Sequence, residues 1–164
     1  MIDQTAKSRL ELRGIQYRDD PAYRRMLPWT KMAFVVGGTQ AAIATFAHDA
    51  ATLWQMVPVV ALAVVLPHHP IEYIYNWGIR HIIKAAPLPT NAAPVRFAFF
   101  MAAIILASAA WAFDNGITWL GTFLGLQVAL VAGTFVFSSF CIPAAIWAFV
   151  TGNKDKVCCA LARA

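Results

Sequence analysis

Four stretches of this chain, 32–48, 50–71, 97–113 and 115–153, contain no Asp, Glu, Lys or Arg. Nothing else in the sequence restricts its fold as much. A helix needs about 20 apolar residues to cross a hydrocarbon core of roughly 30 Å, with about 17 as the lower limit. In lipid a spanning backbone must satisfy its own hydrogen bonds, so such runs become helices. Hydrophobic residues make up 60% of the chain and charged ones 13%, and the mean hydropathy is +0.60. That is too apolar for an ordinary soluble domain. The expected fold is an all-α integral membrane protein with four transmembrane helices, at about 30–47, 50–67, 95–113 and 117–138.

The turns at His48-Asp49 and Asp114-Asn115-Gly116 are too short for anything but reversal, so the spans form two antiparallel hairpins. The last apolar run is too long for one straight span at about 1.5 Å per residue. It should break near 138–143, where Pro143 lacks a backbone donor and disfavours helix at Ile142. Pro58 falls inside the second span, where neighbouring helices can satisfy the carbonyl it frees.

The thirteen lysines and arginines all fall on one side of this plan. Seven (Lys7 to Lys31) lie before the first charge-free run, three (Arg80, Lys84, Arg96) in the middle segment and three (Lys154, Lys156, Arg163) in the tail; the two tight turns carry acid but no base. Loops that stay in the cytoplasm retain Lys and Arg, so both termini are expected there, in a bacterial inner membrane. The net charge of +5 is explained by this asymmetry and by attraction to anionic lipid, without a nucleic-acid partner. No secretory signal is visible, because the first apolar run sits behind a long charged leader.

Five regions follow: 1–28, a basic interfacial leader; 29–67, the first transmembrane hairpin; 68–94, an amphipathic helix and Pro-rich connector; 95–150, the second hairpin with a bent end; and 151–164, a basic cytoplasmic tail. Pro70 opens the middle helix, of about 70–84. Ile71, Ile74, Tyr75, Gly78, Ile79 and Ile82 recur at helical spacing, with Glu72, Asn76, Arg80 and Lys84 expected on the opposite face. Trp29, Tyr73, Trp77, Arg80 and Arg96 are the expected interfacial anchors. Each half has a span, a turn with an Asp, a Trp soon after, a second span and a Pro-led apolar segment, a plan compatible with duplication of a two-helix unit.

Gly121, Gly125, Ala129 and Gly133 form a small-residue face on the fourth span, and Gly37, Ala41 and Thr45 repeat it on the first. Such faces let helices approach closely in lipid, either within the bundle or against a helix of another subunit. No acid or base lies inside a span, which disfavours an autonomous pump or channel. Thr39, Gln40, Gln55, Ser108, Thr122, Gln127 and Thr134 are left as interhelical hydrogen-bonding groups. A metal centre needs several converging ligands. His68, His69 and Glu72 offer at most three, more simply read as helix-end hydrogen bonding. No histidine stands mid-span, which argues against a bis-histidine haem, and an interfacial pigment ligand has no support. No cofactor is expected beyond bound lipid, and the question of a pigment stays open. Cys141, at the helix break, and the vicinal Cys158 and Cys159 are the candidate thiols.

The segment from His69-Pro70-Ile71-Glu72-Tyr73 through Trp77-Gly78-Ile79-Arg80-His81, with Pro87-Leu88-Pro89, Ala93-Pro94-Val95-Arg96-Phe97 and Cys141-Ile142-Pro143, resembles a bacterial membrane family. That family is known only as the domain of unknown function numbered 4395, and the resemblance runs over roughly residues 30–150. It implies a small four-span inner-membrane protein without an established activity. In some members a second cysteine follows the first by three positions, a spacing suited to thiol or sulfur chemistry; here that position is Ala144. The functional expectation is a non-catalytic accessory or scaffolding subunit packed among other integral membrane subunits of a bioenergetic or transport complex. The alternatives are a thiol- or metal-handling membrane protein using Cys141 with Cys158 and Cys159, and a small autonomous transporter.

Overall fold

The computed structural model describes residues 4–16 and 18–152, and these contain helices and no strands. The order is α1 (Gln4–Leu12), α2 (Pro21–Met26), a 3-10 turn (Leu27–Lys31), α3 (Met32–Phe46), α4 (Ala50–Val65), α5 (Pro70–Ile74), a π-helical turn (Tyr75–Ile79), α6 (Arg80–Ile83), α7 (Ala93–Asp114), α8 (Thr118–Ser138) and α9 (Ile142–Val150). Cys158, Cys159 and the basic residues of the tail lie outside the described residues.

α7 and α8 are each long and apolar enough to cross a membrane, and the bent pair Ala50–Val65 with Pro70–Ile83 passes the same test as one broken span. The chain is therefore a membrane protein by the length and composition of its helices. α3 and α4, at 15 and 16 residues, fall short individually.

The helices pair across the halves of the chain rather than within the first half. α4 packs along α7, α3 along α8, and α7 against α8, while α3 and α4 touch little beyond their turn. Small residues set this arrangement. A β-carbon on Gly38 would stand 2.7 Å from Cβ of Ala132, and one on Gly121 the same distance from the Phe113 ring. One on Gly125 would overlap the Thr45 side chain, whose hydroxyl donates to Ala41 O at 2.6 Å. Leu53, Met56, Val60, Leu106, Ala109 and Ala110 fill the rest of the bundle core.

Both tight turns lie at one end. Asp49 opens α4 by accepting from the Thr52 N–H at 3.1 Å, and this bonding from Thr52 holds its carboxyl below the usual range. Trp54 Nε1 donates to Asp114 at 2.8 Å, tying one turn to the other. At the opposite end, each second helix breaks into a short helix opened by proline, α5 after α4 and α9 after α8. α9 folds back on α7, with the Phe97 and Trp147 rings 5.4 Å apart.

Two expectations need correction. The leader does not simply rest on a surface: Leu12, Arg13 and Ile15 are buried, with Leu12 packed among Phe135, Cys141 and Ala144. The faces of the 70–84 helix are also mixed, since Tyr75 of the apolar set is fully buried and Lys84 of the polar set is exposed. Glu72 and Asn76 are buried, whereas Ile74, Trp77 and Ile82 are strongly exposed. Local bonding is the reason. Glu72 completes a capping box with His69, and Asn76 Oδ1 accepts from the Leu88 N–H at 2.9 Å, pinning the Pro-rich connector.

Candidate functional site

Of the buried polar residues described, all but Thr45 (Arg13, Thr30, His69, Glu72, Asn76 and Asn91) lie in or beside the leader, at the first corner or in the connector. His69, the residue before Pro70, is the N-cap of α5. Its Nδ1 accepts from the Ile71 N–H at 3.2 Å, and its own N–H donates to Glu72 Oε2 at 2.9 Å. The S/T-x-x-E logic of a capping box is thus met by His-x-x-Glu. Burial pushes the His69 imidazole down to about 4 and raises the Glu72 carboxyl, an effect opposed by the His69 N–H and by Arg13. His68 stands 4.0 Å from Glu72 and faces the Tyr73 ring edge-on.

Arg13, just past the end of α1, is the most deeply inserted charge, at 5% exposure. Its guanidinium carbon sits 4.5 Å from the centroid of Phe135 and 5.9 Å from that of Phe34, a cation–π placement. Nη2 donates weakly to Thr30 O at 3.5 Å, and Nε has no partner. Burial opposes the charge, while Cys141, Glu72 and Tyr23 offset that effect. Asn91 is also buried, with Nδ2 unsatisfied, although its N–H donates to Pro67 O at 2.7 Å.

Cys141 is the N-cap of α9 and 2% exposed. Burial pushes its thiol up, against the pull of the Ala144 N–H and of Arg13. A protonated, enclosed thiol is a poor nucleophile and a poor metal ligand. His69 and Cys141, the two corner caps, also line one end of an apolar cavity of about 230 Å³ between α3, α4, α7 and α8. Its walls include Phe34, Gly37, Met56, Leu106 and Phe135, with Gln127 as a further polar group.

Among the described residues no three of His, Cys, Asp and Glu come together as metal ligands. His68, His69 and Glu72 are neighbours, but capping takes up His69 Nδ1. Of the small-residue face, Gly121 and Gly125 are buried in the bundle, and Gly133 and Gly37 have open space where a β-carbon would stand. Ala41 is fully buried and Ala129 partly so. The Trp29 and Tyr75 rings meet at a tilt with centroids 5.3 Å apart, and those of Tyr73 and Trp77 at 5.4 Å. Arg80 bonds to His81, and Arg96 donates to Asn91 O at 3.0 Å. The spacing of Arg13 among alternating charges gave no sign of its insertion.

The polar residues within the helices are used differently from expectation. Ser108 and Thr134 turn back to carbonyls of their own helices, Ile104 O and Val131 O. Thr39 and Gln40 point outward from the middle of α3. They line a groove of about 460 Å³ with Val35, Val36, Ile43 and Ala44.

No family model, curated protein or solved structure matches this chain.

Proposed function

We propose that this chain is a four-span protein of the bacterial inner membrane with both termini cytoplasmic. In that membrane it acts as a non-catalytic accessory subunit packed within a larger bioenergetic or transport complex. α3 and α4 complete the four spans when the flanking 3-10 turn and the Leu66-Pro67 segment are counted with them. The basic residues of the leader and connector gather at the corner end, and the acidic turns at the other, as the cytoplasmic orientation requires.

The observation that carries the association is Gln40. A side-chain amide facing lipid without a partner costs about 2 kcal/mol or more. A neighbouring helix that hydrogen-bonds it removes that cost. Thr39, Val35, Val36 and Ile43 around it supply a shallow, largely apolar seat. The contact surface is then α3, because the close-approach glycines of α8 are already spent inside the bundle. Other integral membrane subunits and the bilayer are the partners, and no nucleic acid is involved.

Blue-native electrophoresis of mild-detergent extracts tests this. The wild-type chain is expected well above the monomer position, and Gln40→Leu is expected to shift much of it downward. A wild-type species running only near the monomer would overturn the reading.

A further inference from the structure

A second cavity, a cleft of about 490 Å³, opens between the leader and the end of α8. Arg9, Arg13, Arg24 and Lys31 line it, and none of its described lining residues is acidic. Arg24 is paired with Asp19 and Arg13 has Glu72 on its far side, so the excess charge of the cleft rests chiefly on Arg9 and Lys31. Arg9 Nη1 and Lys31 Nζ each donate to a carbonyl near the end of α8, Ser138 O and Val136 O, the latter at 2.7 Å. Each keeps further N–H donors. Arg13, with more than nine-tenths of its surface buried, spends one donor on Thr30 and leaves Nε unpartnered. Arg9, Arg13 and Lys31 thus bring like charges together on one cleft.

The rest of the lining is apolar. Leu10, Leu27, Val35, Phe135 and Val136 contribute to it, and Val35 is also exposed on the outside of α3. We infer that this cleft holds an anionic glycerophospholipid of the cytoplasmic leaflet. Its phosphate lies among Arg9, Arg13 and Lys31, and an acyl chain runs down the groove between α3 and α8. The charge selects a phosphodiester; the apolar exit beside it selects a lipid over a free anion. The membrane placement is shared with the proposal above, but the partner complex is not needed.

The test uses the purified full-length chain in neutral detergent, titrated with phosphatidylglycerol, phosphatidylcholine or inorganic phosphate, and read by native mass spectrometry and thermal shift. Phosphatidylglycerol is expected to bind and to raise Tm by several degrees more than phosphatidylcholine, with phosphate doing neither. At roughly one surface-charge interaction per cation, Lys31→Gln should weaken phosphatidylglycerol about fivefold. Arg9→Gln with Lys31→Gln should weaken it about thirtyfold, and Lys84→Gln, outside the cleft, not at all. Equal response to the two lipids, an equal shift with inorganic phosphate, or equal loss in the Lys84 variant would overturn the inference. Because all arms are read on the isolated chain, a failed complex and an empty cleft give different results.

Discussion

The two corners of the bundle solve one problem in two ways. After α4, the chain leaves its helix in extended geometry at Leu66 and turns by 71° into the helix opened by Pro70. Every group needed to start that helix comes from the corner itself, through the His69–Glu72 box. After α8, Ser139 takes a left-handed conformation (φ 59°), and Cys141 opens α9 with no side-chain cap. Phe135 O is closed locally by the Ser139 N–H, but Val136 O and Ser138 O are satisfied from far away in sequence, by Lys31 and Arg9. One corner starts its helix with its own groups and takes only the Asn91 N–H, on Pro67 O, from the connector; the other borrows from the leader. A helix end can be closed locally or by tertiary contact, and only the first kind leaves a motif in the sequence.

The comparison can be broken at either corner. Glu72→Leu should have the largest effect, because it uncaps His69 and removes the carboxylate that faces Arg13. About 3–4 kcal/mol of stability should be lost, read from thermal unfolding in detergent.

His69→Asn comes next and depends on pH. The folded imidazole titrates at about 4, against 6.5 as the ordinary value. A depressed basic group stabilises fully above 6.5 and loses that contribution as pH falls towards 4, on the order of 2–3 kcal/mol. Asparagine can cap the helix without titrating, so the variant should hold its Tm between pH 6.5 and 4 where the wild type declines more. The raised Glu72 carboxyl acts in the opposite sense. Its contribution is present below about 4.5 and fades as pH rises, so it softens the wild-type decline.

Arg9→Gln with Lys31→Gln should cost about 1–2 kcal/mol through the freed carbonyls. Hydrogen exchange should quicken at 136–141 and stay unchanged at 66–75. If both corners loosened together, they would not be independent. The smallest effect is a gain: Ser139→Gly relieves a left-handed serine and should add about 0.5–1 kcal/mol.

Much of the scaffold was legible. Charge-free runs and turn residues place the helices at 30–47, 50–67, 95–113 and 117–138; the structure has them at Met32–Phe46, Ala50–Val65, Ala93–Asp114 and Thr118–Ser138. Pro70 as the opening of a helix was legible too, because proline suits the first turn whatever surrounds it. The faces of that helix were not. Periodicity assumes that carboxylates and amides seek water, whereas Glu72 and Asn76 accept from specific backbone donors inside the fold. Arg13 was hidden for the same reason. Its insertion depends on Phe34 and Phe135, two rings on helices remote in the chain, and no local pattern encodes their meeting. The close-approach glycine on α3 is Gly38 rather than the Gly37 of the four-residue stripe, since the rotation of α3 against α8 is set by tertiary packing.

Pairing across the halves has a consequence for the order of assembly. During synthesis α3 and α4 are complete while the residues of α7 and α8 are still to be made, and they have little to hold onto in each other. The close approaches of Gly38 to Ala132 and of Thr45 to Gly125 must wait for the last third of the chain. The first hairpin is therefore a template kept open for a partner that arrives late. Two separately expressed halves, divided in the connector, should find each other and co-purify.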